Sequence, residues 1–246
     1  MRRAILGAYT YAEFGAVLFG VLPFIAASRL RHRNETTPRM PGRWLRRVGR
    51  WSSSMTPLWD FRVEGSPPAD IGERPYVVVA NHESTADPFL LSHLPWDMRW
   101  VAKEELFRPP VVGWYMKLSG DIPLRRGDGE SVREMFSVCR ETLDNGLSVM
   151  IFPEGTRTRD GELLPFKDGA FKLAIDAQVP VLPIALHGTR ACRPKGSKWF
   201  GEAKAVARVL PAIPTAGMVE ADVATLRERA RTVIGDAARE LRQAAT

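Results

Sequence analysis

The sequence predicts an α/β fold in which a largely parallel sheet is flanked by helices, preceded by a long apolar helical segment. Short apolar runs of strand length alternate with segments whose apolar residues recur at helical spacing. Such alternation is typical of parallel sheets that are covered by helices on both faces. With 246 residues, the chain is long enough for one α/β domain of ordinary size and an extension.

The first predicted element is the apolar segment over residues 4–27, which only Glu13 and Pro23 interrupt. Its length can span a hydrocarbon core of about 30 Å, although a carboxylate near the middle costs about 2.5 to 3.5 kcal/mol on insertion scales. Three geometries stay open. They are a single span, a re-entrant or interfacial helix pair broken near Gly15 or Gly20, and a cleaved signal peptide.

A basic connector follows over residues 29–50, with eight arginines. Only Arg2 and Arg3 precede the apolar segment, so the positive-inside tendency places the rest of the chain on the cytoplasmic side of a cell membrane. The net charge of +7 calls for an anionic partner, and arginines beside an apolar segment suit lipid headgroups better than nucleic acid. We therefore predict a membrane anchor over residues 1–28, the connector, and a main domain over residues 51–246.

The main domain contains the alternating elements. Strands are predicted at residues 76–80, 98–101, 121–124, 148–152, 181–186 and 203–210. Helical spacing between and after them is shown by Val132, Met135, Phe136, Cys139 and Leu143, by Phe171, Ala174 and Ile175, and by Val223, Leu226, Ala230, Val233, Ala237 and Leu241. The last stripe predicts a helix packed on the domain.

The first candidate site motif is Asn-His-Glu-Ser-Thr-Ala-Asp at residues 81–87, directly after a predicted strand. His82 offers a base, and Asp87 offers a carboxylate that can orient it. In one continuous helix, residues five apart point about 140° away from each other. The pair therefore requires a turn, with the helix beginning at Asp87 and Pro88. The alternative is an ordinary turn in which Asp87 only caps that helix.

The second motif is Phe-Pro-Glu-Gly-Thr-Arg at residues 152–157, which follows the strand predicted at 148–152. The guanidinium group of Arg157 suits bidentate recognition of a phosphate. In open α/β sheets, ligands bind beyond the carboxyl ends of the strands. We therefore expect the two motifs to meet in one crevice.

At these residues the sequence resembles the glycerolipid acyltransferases, and most closely the 1-acyl-glycerol-3-phosphate (lysophosphatidic acid) acyltransferases. The resemblance covers residues 82–87, 120–126, 152–157 and 179–183 in order, with a fifth agreement at 165–170. Both Arg125 and Arg126 fit the family's arginine in the second block, and the register favours Arg126. Asp121 departs from the pattern, because a small or apolar residue is commoner there.

The resemblance implies a membrane-embedded N-terminal segment and an acyltransferase catalytic domain over residues 51–246. It implies transfer of a fatty acyl group from acyl-CoA or acyl-carrier protein to the free hydroxyl of 1-acyl-glycerol 3-phosphate, giving phosphatidic acid in phospholipid biosynthesis. Implied catalytic residues are His82 and Asp87, and implied substrate-binding residues are Arg126, Glu154, Gly155, Thr156, Arg157 and Lys167.

In this mechanism His82 removes the proton of the acceptor hydroxyl, and Asp87 fixes the tautomer of the ring. The resulting oxygen attacks the thioester directly, so the enzyme needs no nucleophile of its own. Glu154 either orients Arg157 or hydrogen-bonds a glycerol hydroxyl. A carboxylate beside a phosphate otherwise repels it.

No cofactor or metal is expected, since Cys139 and Cys192 lack metal-ligand spacing and the sequence has neither a His-Glu-x-x-His motif nor clustered Cys and His residues. The absence of a Gly-x-Ser-x-Gly elbow argues against serine-hydrolase chemistry. The expected partners are membrane lipids, a lysophospholipid acceptor and acyl-CoA or acyl-carrier protein, without nucleic acid. Acylation of another lysophospholipid, glycerol 3-phosphate or a lyso-aminolipid stays open, as do acyl length, donor carrier and oligomeric state. A non-catalytic lipid-binding module would need the arginines but not the base.

Overall fold

The computed structural model describes residues 2–194 and 197–245, so residue 1 of the predicted anchor lies outside the described residues. The α-helices are α1 (Arg2–Arg31), α2 (Arg39–Met55), α3 (Asp87–Leu91), α4 (Val112–Ser119), α5 (Gly129–Asp144), α6 (Gly169–Ala177) and α7 (Val223–Ala244). The strands are β1 (Trp59–Glu64), β2 (Val77–Ala80), β3 (Met98–Lys103), β4 (Ile122–Leu124), β5 (Ser148–Ile151), β6 (Val181–His187) and β7 (Ala203–Val209). Short 3₁₀ helices lie at Glu104–Phe107, Thr189–Cys192 and Glu220–Asp222.

These strands form one sheet in the order β1-β7-β6-β2-β5-β3-β4. Neighbouring strands run parallel except for β6 and β7, which pair antiparallel. The predicted α/β fold with a largely parallel sheet is therefore confirmed. Since β2 to β6 all run in one direction, their carboxyl ends meet at the same edge, where both candidate motifs begin.

Other elements cover both faces of the sheet. Successive side chains of a strand point to opposite sides, so each central strand contributes to the core on both faces. Val77 and Val79 of β2 pack with residues of α5, α6 and α7, whereas Val78 packs on the other face with Leu90 and Leu91 of α3 and the following segment. Strands buried on both faces read as continuous apolar runs. The central strands could therefore be predicted to within one or two residues.

The sequence analysis missed β1, which pairs with β7 at one edge of the sheet. Only Trp59 of this strand is buried, and charged residues occupy its second, fourth and sixth positions. An exposed edge strand lacks the apolar run by which the central strands were recognised.

Helix α2 also departs from expectation, because it continues across residue 50, where the predicted connector ends and the main domain begins. Pro38 lies at the N-cap and Pro41 in the first turn, positions where a proline breaks no backbone hydrogen bond. The two prolines therefore begin a helix instead of marking an irregular connector. The division into three regions stays a prediction.

Helix α1 is continuous through Gly15, Gly20 and Pro23, so the helix pair broken near either glycine, one of the three open geometries, does not occur. Its part over Ala4–Arg31 is long and apolar enough to cross a membrane by length and composition. The helix does not stand free, however. It packs along α2, and the Tyr115 hydroxyl of α4 donates a hydrogen bond of 2.6 Å to the carbonyl of Leu18.

One face of α1 lies on the main domain and the other is exposed. Phe14 stacks on Phe89 with ring centroids 5.3 Å apart, and Ile25 is fully buried against α2 and α4. Thr10 and Thr56 join their hydroxyl oxygens at 2.7 Å. Large apolar side chains cover the exposed face: Ile5, Tyr9, Phe19, Phe24 and Leu30.

Candidate active site

His82 and Asp87 are in direct contact at the carboxyl end of β2. The ring Nδ1 of His82 lies 2.6 Å from Oδ2 of Asp87. Residues 85 and 86 form a turn, and α3 begins at Asp87 with Pro88 in its first turn. This is the geometry that the spacing argument required, because a continuous helix would have separated the two side chains.

The Asp87 carboxylate is fully buried, and both of its oxygens accept hydrogen bonds. Its Oδ2 also accepts from the backbone N–H groups of Glu83, at 2.8 Å, and Ser84, at 3.0 Å. Its Oδ1 accepts from the hydroxyl of Thr189, which follows β6. Four hydrogen-bonding groups thus surround the buried carboxylate, and Nδ1 is the ring nitrogen of His82 that it holds.

Asn81 fixes the end of β2 against β6. Its side-chain nitrogen donates to the carbonyl of Leu186 at 2.9 Å, and its oxygen accepts from the N–H of the same residue at 2.7 Å. The pair of bonds replaces the next rung of the parallel ladder, so the chain can leave the sheet at His82 without unpaired backbone groups.

The loop after β5 holds His82 from the other side. The His82 ring stacks on Phe152 with ring centroids 4.0 Å apart. The backbone carbonyl of His82 accepts a hydrogen bond of 2.9 Å from the N–H of Thr158. Its own N–H donates to Oε1 of Glu154 at 2.7 Å. The two motifs therefore meet in one site, as expected from their places at neighbouring strand ends.

Glu154 is 4% exposed, and its second oxygen accepts from the N–H of Leu164 at 3.1 Å. The two expected roles were orientation of Arg157 and a bond to the acceptor, but the carboxylate contacts backbone N–H groups of the site. Burial raises the pKa of Glu154 to about 7, although the bonds from His82 and Leu164 act in the opposite direction. A tight turn follows at Gly155, whose φ is +67°. An added Cβ there would lie 2.9 Å from Nζ of Lys167, the end of a flexible side chain that can move, so the positive φ is what favours glycine.

The two arginines of the second block differ in their contacts. Arg125 donates to both oxygens of Glu104, at 2.8 and 3.0 Å, and to Asp128 at 2.9 Å. Arg126 is exposed, and within the described residues its side chain has no hydrogen-bond or ion-pair partner. The free guanidinium agrees with the register that favoured Arg126. Arg126 follows β4, which lies three strands from β2 in the sheet. At about 4.8 Å per strand, β4 and β2 are about 14 Å apart.

Arg157 lines a cavity of about 740 Å³ that we call the arginine cavity. Its walls come from residues 83–85 of the first motif, the loop after β5 and the segment after β6, and Thr156 is among them. Arg159, Arg190 and Arg193 line it as well. Sequence reasoning named only Arg157 and Thr156 of this set, because the other arginines lie outside the recognised blocks.

Sequence reasoning also missed Thr189 and Glu83. The Glu83 carboxylate is buried, accepts from the N–H of Gly188 at 3.1 Å, and lies 3.7 Å from Nδ1 of His187. Thr189 is 102 positions from the aspartate that it contacts, so no local pattern could have indicated it. Across the described residues, no group of three or more His, Cys, Asp or Glu side chains is suited to hold a metal ion.

Known proteins similar to this chain indicate its family. Residues 60–187 match the Acyltransferase family model. A chloroplastic 1-acyl-sn-glycerol-3-phosphate acyltransferase of Brassica napus is 40% identical over 149 residues, 60% of this chain and 43% of that protein. The human alpha form is 38% identical over 160 residues, 64% of this chain and 56% of that protein. The alignments thus span about half the length of these relatives.

The human beta form is 35% identical over 200 residues, which cover 80% of this chain and 70% of that protein. The crystal structure of the 1-acyl-sn-glycerophosphate (LPA) acyltransferase PlsC from Thermotoga maritima superimposes with a TM-score of 0.78 at 29% identity, covering 98% of this chain and 96% of that one. The fold is that of this acyltransferase. This chain belongs to the Acyltransferase family, which confirms the predicted resemblance.

The raised pKa of Glu154 predicts how stability depends on pH. Between 4.5 and about 7 the folded state holds a proton that the unfolded chain has released. The free energy of unfolding should therefore fall as pH rises through this range, by up to about 3 kcal/mol, since one pKa unit corresponds to about 1.4 kcal/mol. Urea unfolding of Glu154→Gln should lack this loss, although the variant starts less stable because its amide cannot accept both backbone bonds.

Glu134→Gln, on an exposed position of α5, is the control and should keep the dependence of the native protein. All other titratable groups are shared by the native protein and Glu154→Gln. The difference between their curves of unfolding free energy against pH therefore gives the contribution of Glu154. Parallel curves for Glu154→Gln and the native protein would contradict the raised pKa.

Proposed function

We propose that the chain is a membrane-associated O-acyltransferase that makes phosphatidic acid from 1-acyl-glycerol 3-phosphate and a fatty acyl thioester. The observation that carries the proposal is the contact between His82 and the buried Asp87 beside free arginines. A lipid-binding module has no use for a base held in one orientation. The relatives' names support the same reaction.

In this proposal His82 acts as the general base. Asp87 accepts from Nδ1 and holds the ring in the tautomer whose other nitrogen can take the proton of the acceptor hydroxyl. The oxygen then attacks the thioester carbonyl, the C–S bond breaks, and the thiolate takes up the proton from His82. Glu154 positions His82 through its backbone N–H, which supports a role for this residue without a contact to the acceptor.

Arg157 and Arg126 are proposed to bind the acceptor's phosphate, with Gly155 and Thr156 shaping the turn beside it. Both guanidinium groups are exposed and lack a side-chain partner within the described residues. Lys167, whose ammonium group approaches Gly155, completes the cationic wall. Hydrogen bonds from these charged side chains to a phosphate are stronger than hydrogen bonds between neutral groups.

The exposed apolar face of α1 is proposed to lie in the membrane, with Arg47 and Arg50 of α2 near anionic headgroups on the cytoplasmic side. Within the described residues, Arg43 and Arg46 are instead paired with Asp97 and Asp121, and Arg39 donates to the carbonyl of Gly146. Since the opposite face of α1 packs on the main domain, insertion along the surface fits the helix better than a free span. The exposed apolar side chains of α1 supply the area for this insertion, and such a position would bring the site close to the surface from which a lysolipid arrives.

Replacing His82 with Ala should lower kcat by about 10² to 10⁴, the usual contribution of a positioned general base. Asp87→Asn should lower it through the ring tautomer while keeping the shape of the buried group. Product mass after incubation with lysophosphatidic acid and acyl-CoA measures the effect, and His32→Ala is the matched control. Native-like turnover in His82→Ala would exclude the mechanism. Other lysophospholipids, glycerol 3-phosphate and lyso-aminolipids belong in the same panel, which decides the acceptor.

Arg157→Gln, and to a smaller extent Arg126→Gln, should raise the KM of the acceptor by about tenfold or more, because each removes a charge-assisted bond to its phosphate. The KM of the donor should change little. Initial rates with each substrate varied separately measure both constants. A rise confined to the donor KM would assign these arginines to the thioester instead.

The double variant Ile5→Ala/Phe19→Ala should bind vesicles of anionic phospholipid about tenfold more weakly, because two exposed apolar side chains of α1 are shortened. Val138→Ala, an exposed apolar residue of α5, should bind as the native protein does. Co-sedimentation with and without high salt measures binding. Salt should not release the native protein, since apolar insertion is not screened, and complete release would show that the contact is electrostatic.

A further inference from the structure

The two oxygens of the Asp87 carboxylate have different partners. Oδ2 contacts Nδ1 of His82 and accepts from the backbone N–H groups of Glu83 and Ser84. The donor at Oδ1, within the described residues, is the hydroxyl of Thr189. Asp87 and Thr189 are both fully buried, so bulk water does not reach this contact. The orientation of the carboxylate towards His82 therefore depends on the Thr189 hydroxyl.

A tight turn places Thr189 beside Asp87. The chain leaves β6 at His187 and turns at Gly188, whose φ is +96°. An added Cβ at Gly188 would collide with the backbone carbonyl of Lys204 in β7, which cannot move aside as a flexible side chain can. The positive φ and the close approach both favour glycine, so the turn that precedes Thr189 has little freedom.

Glu83 holds this turn from the side of the first motif. Its Oε2 accepts from the N–H of Gly188 at 3.1 Å and lies 3.4 Å from the hydroxyl oxygen of Thr189. Thr189 has one hydroxyl hydrogen, and Asp87 is the closer of the two carboxylates. Glu83 therefore acts on Thr189 mainly through the backbone of the turn. Because Glu83 directly follows His82, these contacts close a ring that begins and ends at the base.

We propose that Thr189 and Glu83 are positioning residues for the acyl-transfer step. Thr189 holds Oδ1 of Asp87 so that Oδ2 stays in contact with Nδ1 of His82, and Glu83 holds the turn that supplies Thr189. Supporting hydrogen bonds of this kind keep a site within about 0.5 Å of its productive geometry. Thr189 is fully buried, so it acts through Asp87 and not by contact with a substrate. The assignment rests on the proposed acyl transfer and adds two residues to it.

The alternative is that the Thr189 hydroxyl stabilises the fold and nothing more. Thr215 offers a matched comparison, because it is 1% exposed and its hydroxyl donates to the carbonyl of Val179 at 2.8 Å. This contact lies at the amino end of β6, the edge of the sheet opposite the site. Replacing either threonine with valine removes one buried hydrogen bond, but only the change at Thr189 removes it from the site.

Kinetics test the hydroxyl of Thr189. Thr189→Val should lower kcat with lysophosphatidic acid and acyl-CoA by about 10- to 100-fold, because a buried acceptor loses its donor. Both KM values should stay close to native. Thr189→Ser, which keeps a hydroxyl, should recover most of the lost kcat. Thr215→Val should keep the native kcat, although urea unfolding should show that it is destabilised. Native kcat in Thr189→Val, or the same loss in Thr215→Val, would overturn the proposal.

A double-mutant cycle tests Glu83. Glu83→Ala should lower kcat by about tenfold because the turn loses its acceptor, whereas Glu83→Gln, whose amide oxygen can still accept from Gly188, should keep most of the activity. Both residues act on Asp87 through the same turn, so the losses in Thr189→Val and Glu83→Ala should be less than multiplicative in the double variant. Multiplicative losses would show that Glu83 acts independently and would overturn its part of the proposal.

Nuclear magnetic resonance gives a readout that needs no turnover. The sequence has four histidines, so the ring-nitrogen signals of full-length protein in detergent, labelled with ¹⁵N at histidine, are few, and His82→Ala identifies those of His82. In the native protein their chemical shifts should show the hydrogen on Nδ1. Thr189→Val should move them towards a mixture of tautomers, whereas Thr189→Ser and Thr215→Val should leave them in place. Unchanged signals in Thr189→Val would contradict the positioning role.

The outcomes separate this inference from the proposed function. If no lysolipid is acylated but the His82 signals depend on the Thr189 hydroxyl, the reaction is wrong and the positioning of His82 stands. If acylation occurs while Thr189→Val keeps the native kcat and the native His82 signals, the reaction stands and the positioning role is wrong.

Discussion

The candidate site depends on one buried group, the carboxylate of Asp87. An ionised carboxylate that is removed from water without partners costs several kcal/mol, so the surrounding chain has to supply donors. It does so from three places: the His82 ring, the backbone of the turn at residues 83 and 84, and the Thr189 hydroxyl after β6. Satisfying this one acid therefore fixes the turn, the orientation of the base and the join between two strand ends.

The parts of the fold that could be predicted are those in which burial produces a recognisable pattern of apolar residues in the local sequence. β2 and β6 are buried on both faces and read as unbroken apolar runs, and the stripe of α7 packs as its spacing indicated. Most residues of β1 are exposed, so its sequence lacks such an apolar pattern. In α2 the prolines gave a misleading signal, because the same residue that breaks a helix interior is tolerated in its first turn.

Within the site, spacing and helix geometry required a turn if His82 and Asp87 were to pair, and the structure has both the turn and the contact. Glu154 did not follow in the same way. An acid three positions before an arginine suggests a pairing of side chains, whereas its buried carboxylate accepts from two backbone N–H groups. Almost every residue type has a backbone N–H group, so a backbone partner cannot be recognised from the sequence. Thr189 meets Asp87 only because β6 lies beside β2, a fact of topology that no segment of sequence contains.

The distribution of charge unites these features. Three acids lie close to the base, Glu83, Asp87 and Glu154, and each is buried with backbone N–H groups as partners. The cations instead line the open cavity without carboxylate partners. Backbone N–H groups thus stabilise these three carboxyl groups from within the site. An anionic substrate that enters the cavity meets these guanidinium groups, and residues 83–85 of the motif that contains His82 and Asp87 form part of the same wall.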